Sequence, residues 1–476
     1  MGYFIHFYYP GAITLNPESF SNLKLHPNLL KNLDSLGYKT MTPIQAQSLP
    51  FILEGRDVIA QGKTGSGKTA AFGLGVLNKL DVKKFRIQTL ILCPTRELAD
   101  QVATELRKLA RAIHNIKILT LCGGMPIGPQ IGSLEHGAHI IVGTPGRIED
   151  HLRKGTLSLE HVDSFILDEA DRMLDMGFQD SLENILQHVP QKRQTLLFSA
   201  TFPAQIREIA DGIMHQPEMI KVESQHHHSS IRQQFYKVAD NKQRLVALKL
   251  LLLKYQPESA LVFCNTKKET QDVAHELRQD GFFALALHGD LEQKDRDRTL
   301  VLFSNKSTSI LVATDVAARG LDIEDLDAVI NYHVTRDSEV HVHRIGRTGR
   351  AGKKGLACSI YTENEAYKLA KIDSDVDPIQ DTSNLPDYDL LQTKPKKSAM
   401  TTIQIDGGKK QKVRPGDILG CLTGENGIAG KQVGKIHVFD NSAFVAVSRD
   451  AAKPALNKIS QGKLKGRNFR ARLVYK

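Results

Sequence analysis

The run Gly62-Lys63-Thr64-Gly65-Ser66-Gly67-Lys68-Thr69 follows the strand-like stretch Asp57-Val58-Ile59-Ala60 and has the residue types needed to hold a polyphosphate. Its glycines let the backbone N–H groups of Thr64, Gly65, Ser66 and Gly67 wrap phosphate oxygens at a helix N-terminus. Lys68 then reaches the outer phosphates and Thr69 helps to hold Mg2+. About a hundred residues downstream, Asp168, Glu169 and Asp171 follow the apolar run Ser164-Phe165-Ile166-Leu167. Two carboxylates at the carboxyl end of a buried strand are costly unless a cation or a reacting water uses them. That logic puts Asp168 on the Mg2+ and Glu169 on the attacking water as general base. Alone, each feature also fits a blander reading, a glycine-rich turn or an acidic strand end. Together they indicate hydrolysis of a nucleoside triphosphate.

The elements that must position these groups are legible as short apolar runs alternating with amphipathic stretches. Thr89–Cys93, Ile116–Leu121, Ile140–Val142, Ser164–Leu167 and Thr195–Phe198 read as strands, and Arg96 to Ile113 as a helix. A second series starts near Phe235, with Ala260–Phe263, Phe283–Leu287, Ser309–Val312 and Ala328–Ile330. Strands alternating with helices predict two α/β lobes, each a doubly wound parallel sheet. The expected organisation is an N-terminal tail 1–19, lobe 1 over 20–222, a linker 223–232, lobe 2 over 233–380, a tether 381–398 and a third domain 399–476. The three adjacent histidines of the linker, His226–His228, read as a solvated segment more readily than as a metal site, because no further ligand stands at suitable spacing. The aromatic start, Met1 to Pro10, lacks a basic region and a cleavage site. It reads as a loose tail, or as a start codon assigned too far upstream.

With 476 residues, 41% hydrophobic and 24% charged, the chain is long enough for several full cores and is not generally disordered. Its greasiest run, Leu245–Leu253, contains Lys249 and is far shorter than the roughly 20 apolar residues of a membrane span. Five cysteines stand far apart with no Cys-x-x-Cys pair, which excludes a disulfide scaffold and suggests a reducing, cytoplasmic location. The net charge of +10 is unevenly placed. Residues 395–476 hold 17 Lys and Arg against 5 Asp and Glu, so the rest of the chain is slightly acidic. Such a local positive field is a footprint for a polyanion, with a merely solvated basic surface as the alternative. No long heptad repeat is present, so a monomer without a protein partner is expected.

Asp168-Glu169-Ala170-Asp171 resembles the signature of the DEAD-box RNA helicases, and other motifs of that family follow in order across 20–361. Phe20 and Thr42-Pro43-Ile44-Gln45 are similar to the aromatic and the Q motif that recognise adenine. Pro94-Thr95-Arg96, Gly123-Gly124 and Thr144-Pro145-Gly146-Arg147 resemble RNA-backbone motifs. Ser199-Ala200-Thr201 resembles the motif that couples hydrolysis to strand separation. Gln293 with Arg296, Thr314-Asp315, Arg319 to Asp322 and His343 to Arg350 complete the set in the second lobe. The resemblance implies RecA-like lobes, ATP as substrate with Mg2+, and Asp322 as a further nucleotide contact. It implies coupling through Asp171, Ser199, Thr201 and His343, and arginine fingers at Arg347 and Arg350. It also implies RNA-backbone contacts by Pro94, Thr95, Arg96, Gly124, Thr144, Gly146, Arg147, Arg296 and Thr314.

The C-terminal piece reads as strand, helix, two strands, helix, strand, the ferredoxin-like βαββαβ order shared with RNA-recognition modules. Ile405–Lys410, Val413–Asp417, Leu422–Gly424, Gly434–Ile436 and Gly462–Gly466 resemble the RNA-binding domain of the DbpA subgroup. That likeness implies a 23S rRNA hairpin as partner and assembly of the 50S subunit as setting. The first strand has no aromatic residue and the third offers only Phe444, so stacking of bases on the sheet is doubtful. Phosphate and shape recognition by Lys409, Lys410, Lys412, Arg414, Lys463, Lys465, Arg467, Arg470 and Arg472 is the better expectation. Competing readings are an RNA helicase or chaperone without 23S preference, a DNA translocase, and a scaffold built on a decayed ATPase.

Overall fold

The structure is a computed structural model that describes residues 19–62, 65–222, 231–318, 321, 323, 325–349, 354–370, 372 and 382–474. Lobe 1 is a seven-stranded parallel sheet of β1 (Val58–Gln61), β2 (Thr89–Leu92), β3 (Ile118–Leu121), β4 (Ile140–Gly143), β5 (Ser164–Asp168), β6 (Gln194–Ser199) and β7 (Glu218–Lys221), in the order β3-β4-β2-β5-β6-β1-β7. Its helices are α1 (Pro27–Ser35), α2 (Pro43–Leu53), α3 (Lys68–Lys79), α4 (Arg96–Leu109), α5 (Ile127–Glu135), α6 (Pro145–Arg153), α7 (Ala170–Asp175), α8 (Gln179–Leu186) and α9 (Ala204–Ile213). The strands read as unbroken apolar runs because both faces are covered. Ile140 and Val142 point into one core and Ile141 into the other, and Ile91 and Leu90 divide in the same way.

Lobe 2 repeats the plan with six parallel strands: β8 (Ile231–Val238), β9 (Ala260–Cys264), β10 (Ala284–Leu287), β11 (Ile310–Thr314), β12 (Ala328–Asn331) and β13 (Gly355–Thr362), in the order β10-β11-β9-β12-β13-β8. Its helices are α10 (Asn241–Tyr255), α11 (Lys267–Gln279), α12 (Gln293–Ser304), α13 (Asp315–Ala318), α14 (Ser338–Ile345) and α15 (Ala366–Leu369). Because β8 already begins at Ile231, the expected linker ends two residues early. Residues 223–230, with the three histidines, lie outside the described residues.

The C-terminal domain has β14 (Met400–Ile405), α16 (Pro415–Thr423), β15 (Val433–Val438), β16 (Ala443–Ser448), α17 (Ala452–Gln461) and β17 (Ala471–Leu473). The antiparallel order β15-β16-β14-β17 is that of a ferredoxin-like sheet, as expected, although the last strand is shorter than the 468–474 read from sequence. Lobe 1 lies in one compact unit, and lobe 2 with the C-terminal domain in a second.

The expected tether is the main correction. Residues 382–392 lie strapped to lobe 2. Thr382 bridges to Phe235, Ser383 N–H donates to the Phe235 carbonyl at 2.8 Å, and the Thr382 and Tyr361 hydroxyls meet at 2.7 Å. Leu385 and Leu390 pack on the lobe 2 core, and Gln243 donates to the Tyr388 hydroxyl at 3.1 Å. The strap explains α10, which is apolar on nearly all sides: Leu248 and Leu250 to Leu253 are all buried. A helix of that pattern needs cover on more than one face. Among the described residues, no helix is long and apolar enough to cross a membrane.

Candidate functional site

The strand order of lobe 1 sorts its motifs into two neighbouring groups at the carboxyl edge of the sheet. β5, β6 and β1 are adjacent and end in Asp168, Ser199 and the phosphate loop; β3, β4 and β2 are adjacent and lead into Gly123-Gly124, Thr144 to Arg147, and Pro94 to Arg96. Ligands bind at this edge of open α/β sheets.

In the first group, Gly65 and Gly67 have φ of 79° and 93°, and Gly67 caps α3, whose first residue is Lys68. The Lys68 ammonium is buried and donates to the Gly62 carbonyl at 2.7 Å, so it folds back over the loop. The Ser66 hydroxyl is buried without a partner. Gln45 donates to the Gly67 carbonyl at 3.0 Å while its own carbonyl accepts the Thr42 N–H at 2.9 Å, which seats the start of α2 on the loop. Thr69 is half-buried on α3. Phe20 is buried, edge-on to Tyr38 with ring centroids 6.4 Å apart, so it stands in the lobe 1 core rather than as an open platform. Thr64 lies outside the described residues.

Asp168 is buried, and its Oδ1 has no partner. Burial pushes its pKa up to about 7, with Lys68 pulling it down and Glu169 adding to the rise. Next to it, Glu169 is buried with φ of 53°. A glutamate in the left-handed region costs roughly 1–2 kcal/mol, and such strain gathers at functional sites. An unpartnered carboxylate oxygen beside an ammonium, at the mouth of a phosphate loop, fits a divalent cation and its phosphate ligands. Asp171 takes the Thr201 N–H and hydroxyl, and its own N–H donates to the Ser199 hydroxyl at 3.3 Å.

The second group is knitted together by side chains. Thr144 Oγ1 accepts the Gly123 N–H at 3.3 Å, and Arg147 donates to the Met125 carbonyl at 2.9 Å. Gly124 has φ of 72°, Gly146 is the second residue of α6, and no atom crowds the space where the Gly146 side chain would be. Pro94 lies between β2 and α4, Thr95 caps α4, and Arg96 is its first residue. Sequence reasoning missed the support beneath: buried His151 meets Gln130, whose amide donates to the Cys122 carbonyl at 3.0 Å, just before Gly123.

In lobe 2, Thr314 ends β11 and accepts the Ala317 N–H at 3.4 Å, while Arg296 on α12 donates to the Ala317 carbonyl at 2.9 Å. The missed residue here is Arg344. It is buried, grips both oxygens of Asp315 at 2.7 Å, and donates to Asn331 and the His333 carbonyl. It thereby locks the Thr314-Asp315 turn to α14, which bears His343; half-buried Arg347 follows. A bidentate pair of this kind is strongly orienting, and an Arg inside a motif otherwise noted for its neighbours was the available signal. Asp322 and Arg350 lie outside the described residues.

In the C-terminal domain all nine expected cations are exposed. The loops 409–414 and 463–467 lie side by side, because Val413 and Leu464 enter one core and Lys465 pairs with Asp417 at 3.6 Å. Lys412 and Lys465, one in each loop, both hold positive φ, 61° and 51°. Arg472 is partly spent on Asp406, at 2.9 and 3.0 Å. Phe444 is buried and edge-on to Phe439, so it offers no open stacking platform.

A parallel-sheet lobe with a phosphate loop after β1 and paired carboxylates at the end of β5, two strands away across β6, followed by a second parallel-sheet lobe, defines a helicase-type P-loop nucleoside triphosphatase. The DEAD/DEAH box helicase model matches residues 42–209, the helicase conserved C-terminal domain 241–352, and the DbpA RNA binding domain 402–473. The chain is 52% identical to the ATP-dependent RNA helicase DbpA of Escherichia coli, over 96% of this chain and 99% of that one. It is 46% identical to the DEAD-box ATP-dependent RNA helicase CshA of Geobacillus kaustophilus, covering 75% and 76%. Saccharomyces cerevisiae Dbp5 bound to RNA and ADP BeF3 superposes with a TM-score of 0.68 at 30% identity, over 78% of this chain and 97% of that one. The chain belongs to the DEAD-box ATP-dependent RNA helicases and is of the DbpA type. It is an enzyme that hydrolyses ATP in dependence on RNA.

Proposed function

We propose that this helicase is directed by its C-terminal domain to a hairpin of 23S rRNA and works, as a cytoplasmic monomer, in assembly of the 50S subunit. The observation that carries this reading is the convergence of two basic loops, 409–414 and 463–467, on one side of a domain matching the DbpA RNA-binding model. Contacts to phosphate position RNA without reading sequence, so the lobes by themselves should be nearly indifferent to it. An address then has to come from the third domain.

In the proposed cycle, Gln45 recognises adenine while Thr64 to Thr69 hold the phosphates. Lys68 exchanges the Gly62 carbonyl for the outer phosphates, and Glu169 takes the proton of the attacking water. Asp168 and Thr69 would hold Mg2+, which when bound neutralises charge developing on the phosphates. Arg347 and Arg350 belong to the other lobe from Lys68, so hydrolysis needs the lobes to close, and RNA spanning both would favour that closure. Asp171, Ser199, Thr201 and His343 pass the closure on to the RNA held by the backbone motifs.

The test is steady-state ATPase with 23S rRNA, 16S rRNA, poly(U) and duplex DNA at one salt concentration, with and without residues 395–476. Strong preference for 23S rRNA that vanishes on truncation supports the reading. Equal stimulation by every RNA would leave a general RNA helicase, and stimulation by duplex DNA would contradict the RNA-specific role.

A further inference from the structure

The outer face of the C-terminal sheet is not free. Ile403, Ile405, Ala443, Val445 and Val447 fill the domain core. The residues alternating with them, Thr402, Gln404, Phe444 and Ala446, therefore point the other way, yet they are only 0, 8, 6 and 1% exposed. Side chains alternate across a strand, so a sheet buried on both faces must have a second layer over it.

Part of that layer is the carboxyl end of α12 in lobe 2. Buried Asn305 donates to the Thr402 hydroxyl at 3.0 Å, and buried Ser307 shares a 2.6 Å hydrogen bond with the same hydroxyl. Lys435 of β15 donates to Ser304 at 3.1 Å. At one side, the Arg449 guanidinium lies 5.1 Å over the Phe283 ring and donates to the Ser398 carbonyl at 2.7 Å. The face on which an RNA-recognition module ordinarily stacks bases is here a docking face for the helicase lobe.

We infer that Thr402, Asn305 and Ser307 are positioning residues that hold the RNA-binding loops at a set offset from the phosphate contact of lobe 2, with α12 as the rigid spacer. The inference rests on the proposed hairpin reading. α12 carries Gln293 and Arg296 in its first turn, and its other end meets Thr402. Twelve helical residues span about 18 Å. A free 18-residue tether would instead let the domain wander over roughly 20–25 Å. Docking thus turns a loosely leashed domain into a ruler: a hairpin gripped by the basic loops delivers RNA at one distance from it to Arg296. The device sets where unwinding begins, without itself touching the RNA.

The experiment uses the full chain and a series of hairpin RNAs carrying a duplex at increasing distances. Wild type should unwind best at one narrow spacing. Thr402→Gln adds neutral bulk on a face that would be solvent in an undocked domain. It should lower the peak by about tenfold and flatten the spacing profile, since small misplacements cost large factors in rate. Hairpin affinity and poly(U)-stimulated ATPase should stay within about twofold, and Thr402→Ser should restore the profile. An unchanged spacing profile in Thr402→Gln would overturn the inference. Docking is read separately, without RNA, from thiol labelling of Thr402→Cys in a Cys421→Ser background. Labelling at least about tenfold slower than at an exposed Lys306→Cys is expected, and equal rates would also overturn it. Failure of the hairpin reading has a different signature, absence of hairpin preference in wild type while Thr402→Cys stays protected.

Discussion

Thr201 donates twice to one oxygen of Asp171, from its backbone N–H at 3.0 Å and from its hydroxyl at 2.9 Å. Burial pushes the Asp171 pKa up, but Arg172 and the bonds from Ser199 and Thr201 outweigh it and hold the carboxyl below its usual range. The pair joins the turn after β5 to the turn after β6.

Thr201→Val keeps the size of the side chain and removes one bond to a charged group, worth roughly 1.5–3 kcal/mol. The expected outcome is loss of at least about tenfold in unwinding with ATP affinity retained. Strand displacement measured beside ATPase and nucleotide binding checks it. Equal loss in all three would mean that the lobe itself is damaged.

Glu169→Gln preserves shape but removes the carboxylate proposed as the base. Turnover should fall by about 10²–10⁴ while ATP and RNA remain bound together. Single-turnover hydrolysis and filter binding on the same preparation measure the two halves of that statement, and normal turnover would remove Glu169 from its assigned role.

Gly67 has φ of 93°, and a Cβ there would stand 2.4 Å from Gln45 Nε2 and 2.8 Å from Thr42 Oγ1. Gly67→Ala is expected to cost about 1–2 kcal/mol from backbone strain alone and to displace Gln45. Lower Tm and weakened ATP binding should appear together; a variant with unaltered nucleotide affinity would show that the Gln45 contact is dispensable.

Lobe 2 should carry a pH signature. His333 pairs with Glu269 at 2.6 Å and Glu365 at 3.2 Å, and Glu365 also binds Arg244 and, at 3.1 Å, Lys368. Burial pushes the His333 pKa down, but the two carboxylates outweigh it and raise it above 6.5. Glu365 is pushed up by burial, yet His333 and Arg244 hold it well below the carboxylate range. The His333 contribution to stability is fully present below about 6.5 and is lost as pH rises through its raised value. That of Glu365 is present above about 4.5 and lost only in strong acid. Thermal unfolding followed upward from pH 6.5 should therefore show falling stability, and His333→Gln should flatten the slope. An equally steep fall in the variant would place the titration elsewhere.

Much of the site was readable in advance because its chemistry is local. A phosphate loop needs glycines, a lysine and a hydroxyl within eight residues, and a buried strand ending in Asp168-Glu169 declares its cost in the same short window. The alternation of strands and helices likewise follows from runs of five to ten residues, and the C-terminal βαββαβ order emerged with only its last strand shortened. Segment 381–398 was misread for the complementary reason. With Pro386, Pro395 and few apolar residues it looks like a linker, but Leu385 and Leu390, packed on the lobe 2 core, and the bonds of Thr382 and Ser383 make 382–392 a strap.

The sequence by itself determined the class of chemistry, the two-lobe plan, the basic third domain and the phosphate-loop and paired-carboxylate motifs, since these depend on neighbours in the chain. Tertiary structure alone decided which residues support them. Arg344 meets Asp315 across 29 positions, and Thr402 meets Asn305 across 97. Those contacts join side chains whose types are unremarkable where they stand. Packing gives them meaning: a buried hydroxyl or guanidinium must find a partner, and the partner is whatever the fold brings within about 3 Å.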